Sequence, residues 1–166
     1  MLHHTHKKWM LPVILVLTLL LLAACGAQGE GAAKSGNSQT IRTGEDLVIP
    51  VSEIGETATF FTVAVDGVTM EILAVRAPDG TLRTAFNTCQ VCNGSPLAYF
   101  VQKGSKVECQ NCHNQFPMSR IGLDAGGCNP WPITDGDKTV TDESITISYD
   151  FLQANKAIFA NWKASY

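Results

Sequence analysis

Two steps of the form Cys-x-x-Cys, Cys89-Gln-Val-Cys92 and Cys109-Gln-Asn-Cys112, stand sixteen residues apart in a chain of 166. Each step is a corner that aims two sulfurs at one point a little over about 2 Å away. Two such corners, brought together by a hairpin, complete a tetrahedron of thiolates. Soft thiolates select zinc, monovalent copper or iron–sulfur chemistry over magnesium or calcium. Other chemistries use the same residues. An exported chain can form disulfides, but structural partners two residues apart are uncommon, and Cys128 is left over. Cys109 to His113 also has the c-type haem attachment pattern, Cys-x-x-Cys-His. Its surroundings read as strand and turn, however, and haem leaves Cys89 and Cys92 unexplained. A thiol-redox enzyme needs its dithiol at a helix start within an α/β pattern, and neither is visible. Metal ligation by Cys89, Cys92, Cys109 and Cys112 is the leading expectation, with Cys128 and His113 as possible additions. The centre is either an iron–sulfur cluster or a single zinc or iron ion. A closed zinc site would make the protein a structural or interaction module, because it leaves no open position for chemistry.

The elements that position these residues read as β structure. From Asp46 the chain runs in short apolar stretches: "DLVIPVSEI", then "ATFFTVAV" and "VTMEILAVRA" about Asp66-Gly67. Asp-Gly between two such runs is a hairpin signal. Pro78-Asp79-Gly80 is a second turn signal, and "TLRTAF" then leads into Cys89. A further hairpin about Lys103-Gly104 delivers the chain to Cys109. "SITISY" alternates as a strand, and Asp150 is placed to cap a last helix, "FLQANKAIFANW". Phe100, Phe116 and Trp131 are expected to shield the sulfurs, while Arg120 reads as exposed. The fold class is mostly β and antiparallel, Rieske-like or zinc-ribbon-bearing, with a short C-terminal helix. No Ser-His-Asp set, carboxylate pair or phosphate-binding glycine loop is visible, so no substrate-turnover site is expected.

The N-terminal segment reads as a targeting signal. Lys7 and Lys8 precede an apolar run from Trp9 to Ala24, and Leu22-Ala23-Ala24-Cys25 has the form of a lipobox. The expected organisation is a lipoprotein signal peptide over 1–24, a flexible linker over 25–45 with lipid on Cys25, and a metal-binding β domain over 46–166. This places the domain at the extracytoplasmic face of the cell membrane, about 25 Å from its anchor. Of 12 basic residues the signal removes Lys7 and Lys8, and all 15 acidic residues stay, so the mature chain carries −5. Such a balance argues against nucleic acid as a partner.

The stretch Ala85–Ile133 resembles a family of bacterial and archaeal membrane-associated iron–sulfur proteins often linked to high-affinity iron permease systems. The shared features are Cys89 and Cys92, Tyr99, Cys109 and Cys112, Phe116-Pro117, Ile121-Gly122 and Gly126-Gly127-Cys128-Asn129-Pro130. Members of that family often carry glycine where His113 stands. The resemblance implies an iron–sulfur or other metal site in iron uptake or electron transfer, with an iron permease or membrane redox partner. A looser resemblance is to Rieske domains, in the order meander, two ligand loops, phenylalanine, then a glycine- and proline-rich segment. Rieske clusters need two histidine ligands, and His113 alone follows Cys25, so the ligands here would all be cysteines. A two-iron cluster so held would have a lower potential than a Rieske centre, thiolates replacing neutral imidazoles.

Overall fold

The computed structural model describes residues 33–36 and 38–165. The apolar run, the lipobox and Cys25 lie outside the described residues. Among those described, no helix is long and apolar enough to cross a membrane.

The domain is mostly β and antiparallel, as the sequence indicates, and its centre is a meander. β4 (Thr59–Val65), β5 (Val68–Arg76) and β6 (Leu82–Cys89) pair in sequence order. Asp66 and Gly67 both have positive φ, at 47° and 79°, the backbone that a two-residue hairpin demands. The short strands β1 (Lys34–Ser35) and β2 (Gln39–Thr40) pair parallel with β4, and Ile41 is buried. The sheet therefore takes in part of the segment expected as linker, and ordered structure begins before Asp46. At the other edge β10 (Pro130–Ile133) pairs with β6.

Alternation along the central strands sorts side chains between two apolar cores. Met70, Ile72, Ala74 and Phe86 enter the first core, with Leu47 and Ile49 from β3 (Leu47–Pro50) and Ile145 and Ile147 from β12 (Ser144–Ile147). β3, β12 and β11 (Thr139–Val140) form a separate sheet. Leu73, Val75, Ala85 and Cys89 enter the second core. That core is completed by a small sheet of β7 (Phe100–Lys103), β8 (Lys106–Cys109) and β9 (Gln115–Pro117), through Phe100, Val107 and Cys109.

The last helix, α1, runs Tyr149–Asn155 and continues as a 3-10 turn over Lys156–Phe159. Its cap is Ser148, whose hydroxyl accepts from Phe151 N–H, rather than Asp150, which lies in the first turn. The helix is pinned to the Asp66 turn, where the carboxylate accepts from Tyr149 Oη at 2.6 Å and Lys156 Nζ at 2.7 Å. Its residues Leu152 and Phe159 close the first core.

Candidate metal centre

Each corner grows from the end of a strand: Cys89 ends β6 and Cys109 ends β8. Both corners fold alike because their own amides turn back onto the first sulfur. Val91 and Cys92 N–H donate to the Cys89 thiol, and Asn111 and Cys112 N–H donate to the Cys109 thiol. The second corner needs a left-handed residue to leave it, and His113 supplies φ 60°. That conformation is unusual for a residue with a Cβ, and it accounts for glycine at this position in the resembling family.

One buried side chain joins the small sheet to the large one. Asn87 of β6 accepts from Phe100 N–H at 2.8 Å and donates to Phe100 C=O at 3.2 Å. Its amide thus acts as a missing rung between β6 and β7. Close approach matters as well. Gly122 has φ 75°, and a Cβ there would stand 2.7 Å from the Thr84 carbonyl oxygen.

The result is convergence. The sulfurs of Cys89, Cys92, Cys109 and Cys112 all lie within 4.8 Å of one another. Cys89 and Cys109 are fully buried, while Cys92 and Cys112 are half-buried at the surface. None of the five described cysteines is disulfide-bonded. The Cys-x-x-Cys step that precedes His113, Cys109 with Cys112, is therefore half of a four-sulfur site rather than an isolated haem attachment motif.

The metal-free thiols differ in acidity. Burial pushes the Cys89 thiol up and the Cys109 thiol up to about 11, against the pull of their amide donors. Burial also opposes ionisation of Cys92, but hydrogen bonds from the Asn111 side chain and from Cys112, Cys89 and Cys109 outweigh it and bring this thiol below its ordinary value. Asn111 sits on the second corner and serves a sulfur of the first. Its orientation is fixed by Ser95 Oγ, which donates to Asn111 Oδ1 at 2.7 Å.

The other expected participants are sorted by the structure. Cys128 packs beside the second core with Cys92 and Cys112 but is not one of the four converging sulfurs. His113 is exposed. Phe100 and Phe116 do pack against the second core. Trp131 does not; it packs against the first core, because β10 pairs with β6 and alternation turns that ring to the opposite face. Arg120 is exposed and paired with Asp124. Sequence reasoning missed Asn87, Ser95, Asn111 and the backbone of Asn129, whose carbonyl accepts from Gln90 N–H at 3.1 Å. Only Asn129 carried a signal, as part of Gly-Gly-Cys-Asn-Pro.

Residues 54–159 match the family described as FtrD-like membrane iron-sulfur containing proteins. The chain belongs to this family. No curated protein and no solved structure matches it. Family and geometry together make this a metal-binding, iron-related protein of a membrane-associated family. The donor set fits iron held by sulfur: four thiols, two of them carrying paired amide donors, with soft-ligand selectivity.

Proposed function

We propose that this protein is an electron relay at the extracytoplasmic face of the membrane. It is anchored through lipid on Cys25 and works beside an iron permease or another membrane redox partner. Cys89, Cys92, Cys109 and Cys112 hold the iron centre. The observation that carries this reading is the convergence of four sulfurs, two of them half-buried at the surface. Four thiolates close the coordination sphere, which leaves no position for a substrate and disfavours handing iron on as cargo. When bound, iron held this way supplies one-electron chemistry. The chain's own part is to hold the four sulfurs, donate amide hydrogens to them, and keep water from the buried pair. The approach side also suits a partner: no charged residue lies between Thr84 and Gln102, and Val91 and Leu97 are 64% and 49% exposed. The order of meander, then two ligand corners, keeps the Rieske-like scaffold as our reading of the fold's ancestry.

The test is anaerobic purification of the full chain from iron-replete cells. The protein is expected to be coloured, to bleach on reduction and to recover on reoxidation. A colourless protein loaded with zinc and silent to reductant would overturn the relay and leave a structural module. For the anchor, Cys25→Ala is expected to move the chain from the membrane fraction to the soluble one. Unchanged partitioning rules out the lipid.

A further inference from the structure

We infer that the four-sulfur site holds one tetrahedral metal ion and no inorganic sulfide. This rests on the reading of the four cysteines as ligands, and it narrows what iron–sulfur means for this chain. Four points no more than 4.8 Å apart fit inside a sphere of radius about 2.9 Å, close to the about 2.3 Å between a thiolate sulfur and a tetrahedral ion. A regular tetrahedron at that bond length has edges of about 3.8 Å. The observed arrangement reaches it by shifts of about half an ångström per sulfur.

A polynuclear cluster asks for something else. Two irons bridged by two sulfides put four more atoms between the cysteines, and each sulfide is as large as a thiolate sulfur. Thiolates on different irons then point away from each other. Here the sulfurs touch across the corners: Cys92, of the first corner, makes hydrogen-bond contact with Cys109 and Cys112 of the second.

Expansion is blocked on two sides. Inward, Cys89 and Cys109 are members of the packed second core, fully buried among Leu73, Ala98, Phe100 and Val107. Outward, the corners are laced together by Asn111. Its side chain donates to Cys92, and its Oδ1 accepts from Ser95 at 2.7 Å. Opening the site to admit sulfides separates the corners and breaks that link.

The experiment measures iron, zinc and acid-labile sulfide per chain on the full-length protein purified without air. The expected result is one metal per chain with sulfide below about a tenth of that. Two or more irons with matching sulfide overturn the inference. One zinc per chain without sulfide sustains the single-ion geometry while refuting the electron relay, so the two readings fail separately. A second measurement guards against loss of iron during preparation. The metal-free chain is titrated under reducing conditions with cobalt(II), whose thiolate charge-transfer and tetrahedral ligand-field bands report the site. Saturation at one equivalent supports a single ion. Saturation at two equivalents, or octahedral spectra, sinks it.

Discussion

The two corners share a backbone design and differ in what holds them. Cys89–Gly94 is clamped from outside. Asn93 Nδ2 donates to the Ile158 carbonyl at 2.6 Å, Asn161 Nδ2 to that of Gly94 at 3.3 Å, and Lys163 N–H to that of Pro96 at 3.0 Å. The segment after α1 thus straps this corner down, with Trp162 Nε1 donating to the Asn87 carbonyl beneath it at 2.7 Å. Gly126 N–H adds a bond to Gln90 Oε1 at 2.6 Å. Cys109–Asn114 has few such supports. Its bonds run within its own hairpin, to the neighbouring Tyr99 carbonyl, and through Asn111 to Ser95. The difference teaches that the first corner is fixed by the fold and the second by the fold together with whatever the four sulfurs bind.

Removing a ligand gives the largest break. Cys109→Ser should weaken metal retention more than 100-fold, since one ligand in four carries roughly 3 kcal/mol of the roughly 10–16 kcal/mol that a four-ligand site supplies; chelator competition measures this. Cys89→Ser should weaken retention similarly. In both metal-free variants, hydrogen exchange should quicken at 110–114 while 90–96 stay protected under the strap. Equal loss of protection in the two corners would show that the strap does not hold the first more firmly than the second.

Asn111→Ala comes next. A group that orients a metal ligand is worth about 10–100-fold in affinity, and this one crosses between the corners. Chelator competition should show a loss in that range, with Asn111→Asp no better because its carboxylate cannot donate to Cys92. Affinity unchanged from the parent would show that the bridge is incidental.

A gain of about 1 kcal/mol is expected from His113→Gly, read in urea unfolding of the metal-free chain, because glycine takes φ 60° without a Cβ penalty. A loss of stability would mean that the histidine side chain makes a contribution of its own.

The smallest effect concerns the helix behind the strap. Hydrogen bonds from Lys156, then Tyr149 and Gln153, hold the Asp66 carboxyl below its usual range. A carboxyl depressed in the folded state stabilises it above the unfolded value of about 3.9, and the contribution fades as pH falls below that value. Asp66→Asn should therefore loosen the 158–163 strap at neutral pH and flatten the acid limb of the unfolding curve. An acid limb that keeps its slope would rule this out.

Much of this arrangement was legible in the sequence. The Asp66-Gly67 and Pro78-Asp79-Gly80 turns, the three central strands and the four converging cysteines follow from local rules: turn chemistry, alternation and ligand spacing. What stayed hidden depends on distant partners. Asn87 is an unremarkable polar residue until Phe100 lies opposite it, thirteen positions on. Ser148 displaces Asp150 as the cap because the helix begins two residues sooner than its apolar spacing suggests. Trp131 is an aromatic residue of the kind expected to shield the sulfurs, whereas the register of β10 on β6 decides its face. The strands at Lys34–Ser35 and Gln39–Thr40 carry too few apolar residues to announce themselves; their backbone bonds to β4 place them.

The central meander lies between both cores, and only one of them contains cysteine. Sixteen buried side chains assemble on the far face, from Leu47 through Phe159, with no thiol among them. Assembly and loading are therefore separable: the far core and the strap over the first corner draw none of their contacts from the four sulfurs, so the scaffold can form before any ion is bound.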